Sequence, residues 1–441
     1  MMDISALRAG YGYAPPSFNA YDRLPGGQIR RPRRSSAGGP TNWQPTLIAL
    51  LKVVVPVALL SGLLYYWLIE THIELAFYRR GWVQSAIIDQ PGLSGTCFPP
   101  SPSYDAALAA APKLIDPHAG LAMRFGADCF DFAALVPSRP IDGQSLPDRS
   151  VYHLYWRADL RPMDERVGIL LDSILATQDP LTSRIILWSN ADLLEKPANQ
   201  AIVGPRLAAN PTRLELRVVD VAALARGTPM ERSPMLDKVN DPRAWVDGDL
   251  VRVLVLYAFG GLWVDVDHIV LRDMRPLFEH EWVTQWDCYD KPYMALNGAM
   301  MHFYKHSPYL CEMLYIMAND PPPRAASTDW GSLMYQKLWR RLVHAGHRPF
   351  KILPFCFTDG QTCRLDNRLP DPFAADPSYH STRWTELERR LQAVFAVHLH
   401  NQWTKPFPKG GWVRRILLPM IERRKAEQAA LRTSPVDPFT L

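Results

Sequence analysis

The chain has 441 residues, 47% hydrophobic and 21% charged, a balance that excludes a wholly disordered, collagen-like, coiled-coil or polytopic membrane protein. Its length suits one large domain with accessory segments. The net charge of +5 is concentrated in one place: the first 45 residues hold six arginines against Asp3 and Asp22, so the remainder is close to neutral and a nucleic-acid partner is disfavoured.

Residues 1–45 read as a basic cytosolic tail, whose cluster Arg30, Arg31, Arg33 and Arg34 is a topology signal or a contact with an anionic leaflet. From Leu47 to Ile69 runs an apolar stretch whose only charge is Lys52. At ~1.5 Å per residue a helix of that length crosses a bilayer. Lys52 can snorkel towards the arginines, and Tyr65, Tyr66 and Trp67 form an interfacial belt at the far end. The run is too long and starts too far into the chain for a cleaved signal peptide. A transmembrane anchor over 46–69 is expected, in a single-pass type II arrangement that places everything beyond it in the lumen of the Golgi or endoplasmic reticulum.

All six cysteines (Cys97, Cys129, Cys288, Cys311, Cys356 and Cys363) fall on that lumenal side, where disulfides persist. The Asp359-Gly360 turn between Cys356 and Cys363 suggests a local bridge, and Cys97 with Cys129 a second, among the many connectivities six cysteines allow. Residues 70–148, rich in Pro, Ala, Gly and Ser, read as a stem with an accessory segment and one helix near Tyr104 to Ala111. From Val151 the texture changes. VYHLYW is a strand candidate, Met163 to Ala176 a helix, Ser183 to Trp188 a second strand and Leu214 to Asp220 a third. Strands alternating with helices predict an α/β domain over 149–412, a mostly parallel sheet with helices on both faces, with functional residues just beyond the strand ends. The remainder, 413–441, is a basic tail with an amphipathic helix from Val413 to Arg432 broken at Pro419.

The informative segment is Asp249 to Asp273. Leu250, Val253, Leu254 and Tyr257 stand at helical spacing, so a helix ends near Phe259 with Gly260 and Gly261 as its stop. The following LWVDVD reads as a buried strand, in which alternation puts Val264 and Val266 on one side and Asp265 and Asp267 on the other. Two carboxylates on one face of an apolar strand repel and lose hydration, and a divalent cation is the natural compensation. Oxygen ligands favour Mg²⁺ or Mn²⁺ and leave positions open for diphosphate oxygens, whose departure from a sugar the cation would assist. Asp249 and Arg252, three apart on one helix face, could grip sugar hydroxyls.

The run from Asp249 to Asp267 resembles the DXD sugar-binding region of glycosyltransferase family 32, and the resemblance continues in Asn297 to Met301, His306 to Pro308 and Ala396 to Trp403. It covers roughly residues 150–405. It implies a GT-A fold, a nucleotide-sugar donor (UDP- or GDP-hexose), a glycan or glycolipid acceptor, Mn²⁺ with Mg²⁺ as the substitute, and retention of anomeric configuration. By the same resemblance Asp265 and Asp267 are the catalytic carboxylates and, with His398, the metal ligands. Trp156, Asp249, Arg252, Asn297 and Gly298 bind the donor, with Trp156 flanking the base. His268, following the second aspartate, departs from the family pattern. Two other readings stay open: a phosphatase or phosphotransferase with Asp265 as nucleophile and Asp267 as acid, although Ile269 and the lack of a later Gly-Asp-x-x-x-Asp fit it poorly, and a catalytically silent lumenal binding protein.

Overall fold

The computed structural model describes residues 44–69, 80, 92–117, 128–237, 241–286, 295–361, 363, 368–375 and 381–433. The arginine cluster of the N-terminal tail and Cys288 lie outside them. The chain divides into two compact units, Met1–Thr71 and His72–Leu441.

In the first unit, helix α1 (Gln44–Leu68) contains Pro56, and its stretch Ile48–Leu68 is long and apolar enough to cross a membrane. Every side chain from Ile48 to Leu68 is exposed, as expected of a helix whose apolar surface is to meet lipid rather than a protein core.

The second unit begins with α2 (Ala106–Ala110) and α3 (Asp128–Leu135). An α/β run follows: β1 (Ser150–Trp156), α4 (Glu165–Thr177), β2 (Ser183–Ser189), α5 (Pro197–Ala209), β3 (Leu214–Val218), α6 (Val221–Ala225), α7 (Trp245–Phe259) and β4 (Gly261–Val264). The chain continues through β5 (His268–Val270), β6 (Trp282–Gln285), β7 (Leu296–Phe303), α8 (Pro308–Asn319), α9 (Ser332–His344), β8 (Lys351–Leu353) and α10 (Phe355–Thr358). It closes with α11 (Ser381–Ala393), β9 (Ala396–His398) and, after a π turn, α12 (Leu418–Thr433).

Seven strands form one sheet in the order β3-β2-β1-β4-β7-β6-β8, in which β7 alone runs antiparallel to its neighbours. Strand alternation divides the core in two. Tyr152, Leu154, Ile185, Leu187, Leu262 and Val264 point to one face, covered by α4, α11 and the C-terminal helix. Ile186, Trp188 and Trp263 point to the other, where α7, α8 and α9 pack. The expected mostly parallel sheet with helices on both faces is therefore present. Strands β5 and β9 pair separately, setting His268 opposite His398.

Several expectations change. Strand β4 stops at Val264, and Asp265 to Asp267 form a turn into β5, so the two aspartates flank a turn rather than share a strand face. Asn297 and Gly298, the donor-binding pair implied by the resemblance, lie in β7 beside the register shift against β6 at Val283/Thr284. The disulfides are long-range: Cys97–Cys311 and Cys129–Cys356 replace the two expected local bridges, and Cys363 is also disulfide-bonded.

Those bridges give the segment before β1 a structural part. Glu279 accepts the backbone N–H groups of Leu114 and Ile115, and Tyr104 Oη donates to Glu281 at 2.8 Å, so the described residues there are held against the α/β domain. After Trp412 the chain likewise stays in the core: Val413, Leu417, Met420 and Ile421 are buried, and Pro419 sits in the first turn of α12 without breaking it.

Candidate functional site: a cleft between an arginine cluster and a histidine cluster

Helix α7 starts where Asp241 Oδ2 accepts the N–H groups of Trp245 and Val246, each at 3.0 Å. It ends where Gly260 takes φ +67° and Gly261 φ +104°. A Cβ at Gly260 would lie 2.5 Å from Lys305 N, and one at Gly261 2.3 Å from Val151 O. The glycine pair thus turns the chain tightly and lets β4 insert between β1 and β7. That insertion brings the Asp249/Arg252 face of α7 beside Asp265.

Arg252 is the hub of this side. Its Nη1 donates to Asp249 Oδ1 at 2.5 Å and to Tyr335 Oη at 2.9 Å, and its Nη2 donates to Asp265 Oδ1 at 2.9 Å. Trp263 Nε1 donates to the same Asp265 oxygen at 2.6 Å, while the guanidinium lies 5.2 Å above the Trp263 ring. Both bonds fall on Oδ1, leaving Oδ2 as the oxygen that can reach a ligand. Burial raises the Asp249 carboxyl to about 7 against the pull of Arg252. Asp265 is raised by burial, which the Arg252 charge opposes and the Asp267 charge reinforces. Gly298 makes room for this hub, since a Cβ there would stand 2.5 Å from Tyr335 Oη and 2.7 Å from Arg252 Nη1.

The second side is built on histidines. Asp267 accepts the N–H of Asn401 on Oδ2 at 2.7 Å, and His398 Nε2 lies 3.3 Å from the same oxygen. His398 Nδ1 meets Asp359 Oδ2 at 3.1 Å, and His400 Nε2 meets Asp359 Oδ1 at 2.6 Å. The rings of His268, His398 and His400 form a stack with centroid spacings of 4.3 and 4.2 Å. Burial by itself would raise Asp267, but the charge and hydrogen bond of His398 hold it below the carboxylate range. Asp359 is lowered in the same way by His398 and His400, again against burial. Burial disfavours a charged His398, yet Asp267 and Asp359 hold its pKa well above the ordinary value. Burial, then the His398 charge, push His268 down to about 3, so it stays neutral.

Between the two sides lies a cleft of about 550 Å³. All eight residues singled out in the sequence line it: Trp156, Asp249, Arg252, Asp265, Asp267, Asn297, Gly298 and His398. Trp156 is nearly buried, its Nε1 donating to Arg161 O at 3.2 Å, and the half-buried Trp403 stands edge-on against it at 5.6 Å with the Arg161 guanidinium above. Asn297 turns its amide outward from β7, donating to Asp359 Oδ2 at 2.9 Å.

Sequence reasoning missed Asp359, read as a turn residue, and Tyr335. Both act over distances in the chain that no local spacing records. The one available signal was the pair His398 and His400, which together need a buried carboxylate. As for a metal, the ligand atoms of Asp267, His268 and His398 lie within 4.8 Å of one another, and so do those of Asp359, His398 and His400. Carboxylate oxygen with imidazole nitrogen suits a divalent ion of the first transition row.

A family model described as "Glycosyltransferase sugar-binding region containing DXD motif" matches residues 176–284, the stretch that holds α7, the glycine pair and the two aspartates. Residues 176–284 therefore carry a DXD-containing glycosyltransferase sugar-binding region, set within an α/β sheet covered by helices on both faces. No curated protein matches the sequence. Among solved structures, the chain is similar to the WbbM bifunctional glycosyltransferase in its apo form (10% identity, TM-score 0.38), with 67% of this chain covered and 52% of that one, so it spans about half of that protein's length. It is also similar to the galactosyltransferase LgtC in complex with donor and acceptor sugar analogs (14% identity, TM-score 0.32, 65% and 98% covered). Mouse xyloside xylosyltransferase 1, apo form, gives 12% identity and a TM-score of 0.34, with 59% and 100% covered.

Proposed function

We propose that this protein is a manganese-dependent glycosyltransferase that moves a hexose from UDP- or GDP-hexose to a glycan or glycolipid, with retention of configuration. The reading rests on one observation: a single cleft holds an arginine cluster suited to sugar hydroxyls on one side and an Asp/His cluster suited to a cation on the other. In this reading Asp267, His398 and the Oδ2 oxygen of Asp265 hold the metal, which supplies Lewis-acid stabilisation to the leaving diphosphate when bound.

The protein's own groups then carry the remaining work. Asp249 accepts from donor-sugar hydroxyls and Arg252 donates to them, their positions fixed by Tyr335 and by the space at Gly298. The Asn297 side chain is fixed at both ends, its Nδ2 donating to Asp359 Oδ2 and its Oδ1 accepting the Ala299 N–H at 3.0 Å, and it forms part of the wall that orients the sugar. Trp156, Trp403 and Arg161 form the flat, partly cationic end of the cleft where a nucleobase stacks.

We also place the catalytic unit in the lumen of the Golgi or endoplasmic reticulum, behind a type II anchor. The disulfides Cys97–Cys311 and Cys129–Cys356 support this placement, since they call for an oxidising compartment.

The test is a panel of nucleotide sugars scored for Mn²⁺-dependent hydrolysis by the detergent-solubilised chain. One donor should be hydrolysed well above the rest, and chelation should stop it. Hydrolysis of no nucleotide sugar, with or without acceptor glycans, would sink the reading.

A further inference from the structure

We propose that Asp359 is a positioning residue that fixes the tautomer and orientation of His398, so that the Nε2 atom of that imidazole is presented to the cation site beside Asp267. The proposal rests on the reading of the cleft given above and adds a residue to it that no sequence motif marks.

The geometry is as follows. Asp359 is 1% exposed and three side-chain donors converge on it. Its Oδ2 takes Asn297 Nδ2 at 2.9 Å and His398 Nδ1 at 3.1 Å, and its Oδ1 takes His400 Nε2 at 2.6 Å. A carboxylate only accepts hydrogen bonds, so His398 must carry hydrogen on Nδ1. Nε2, which faces Asp267 Oδ2 at 3.3 Å, is then the nitrogen that gives up its proton when a cation takes its place in that contact. An imidazole turned or tautomerised the other way would put N–H where a cation needs a lone pair.

Asp359 is itself anchored independently of the histidines. Its N–H donates to Phe355 O at 2.7 Å at the end of α10, and α10 is tied to α3 by the Cys129–Cys356 disulfide. The backbone of β9 is placed separately, by the Leu399 N–H donating to Asp267 O at 2.8 Å. Backbone pairing therefore sets where His398 stands, and Asp359 sets which way its ring presents. Because the same Oδ2 also holds Asn297, one carboxylate orients a metal ligand and a donor-facing wall residue together.

The experiment measures Mn²⁺ binding to the full-length protein in detergent, without donor, by the electron paramagnetic resonance of the free ion. Asp359→Asn keeps the shape but offers an amide that can donate to Nδ1, and affinity should fall by about 10- to 100-fold while the thermal midpoint stays near wild type. His400→Gln, which leaves the Asp359–His398 bond in place, should bind Mn²⁺ close to wild type. Unchanged affinity in Asp359→Asn, or an equal loss in His400→Gln, overturns the proposal.

A measurement that needs no folded variant is the ¹⁵N shifts of the His398 ring in the Mg²⁺-loaded wild type. Hydrogen on Nδ1 supports the proposal and a lone pair there overturns it. If wild type and Asp267→Ala alike take up no Mn²⁺, the metal reading of the cleft itself has failed and the proposal falls with it. If wild type binds and Asp359→Asn binds equally, only the proposal has failed.

Discussion

On one side of the cleft a single guanidinium, Arg252, serves two carboxylates, Asp249 and Asp265; on the other, two carboxylates, Asp267 and Asp359, share a single imidazole, His398. The two sides have similar burial and similar charge count, but their chemistry differs. Arginine keeps its charge at every accessible pH and its planar fork fixes two acceptors at once, so the Asp249–Arg252–Asp265 set is rigidly held and, in the proposed function, holds sugar hydroxyls. Histidine can give up a ring proton and offer a lone pair, so the Asp267–His398–Asp359 set is the one that can exchange its internal bonds for a cation. Asp265 and Asp267, two residues apart, accordingly have carboxyl pKa values moved in opposite directions. Identical side chains in one motif are given different electrostatic environments by the groups that face them.

The sharpest way to break this division is at Asp267. Asp267→Ala should lower transfer about 10³-fold or more and also lower the thermal midpoint, since it removes the buried partner of His398 and the acceptor of the Asn401 N–H. Turnover at the wild-type rate in saturating Mn²⁺ would mean the cation is not held there.

Next comes Arg252→Ala, which strands two buried carboxylates. A loss of about 10²-fold in sugar transfer and about 3–5 kcal/mol in stability is expected, with binding of the bare nucleotide less affected. Equal weakening of nucleotide and nucleotide sugar would show that the arginine side does not read the sugar.

A smaller effect should follow from removing the support behind the histidine side. The Cys129–Cys356 bridge closes a separation of 227 residues, and the double replacement by alanine should cost about 2–5 kcal/mol. Calorimetry of the double variant should show a lowered midpoint with residual activity at low temperature; an unchanged midpoint would remove the disulfide from the support of α10.

The smallest expected effect concerns pH. Burial raises Asp249 to about 7 in the folded state, against about 4 in an unfolded chain. Between those values the folded protein binds more protons than the unfolded one, so this group's contribution is fully present near pH 4 and is lost as pH rises through about 7. Asp249→Asn cannot titrate, and its thermal midpoint should decline less than wild type between pH 5 and about 8. Parallel profiles for the two proteins would show that the Asp249 pKa is not raised.

Much of this molecule could be read directly. The apolar and aromatic runs VYHLYW, SRIILW and LELRVVD marked β1, β2 and β3 to within a residue or two, because a strand covered by helices on both faces is apolar along most of its length. The end of α7 at Phe259 followed from the glycine pair, whose positive φ angles admit few other residues. The DXD segment marked a place of buried charge because acidic side chains after an apolar strand require compensation, which Arg252 and His398 supply.

What the sequence by itself determined was the α/β alternation, one apolar helix and the residue types of the cleft, all carried by short-range spacing. Tertiary structure alone decided that Cys129 joins Cys356, that Asp265 and Asp267 flank a turn with opposite partners, and that Asp359 meets a histidine 39 positions away. The reason is physical: those outcomes depend on which distant side chains share a buried, low-dielectric space, and no pattern along the chain encodes that proximity.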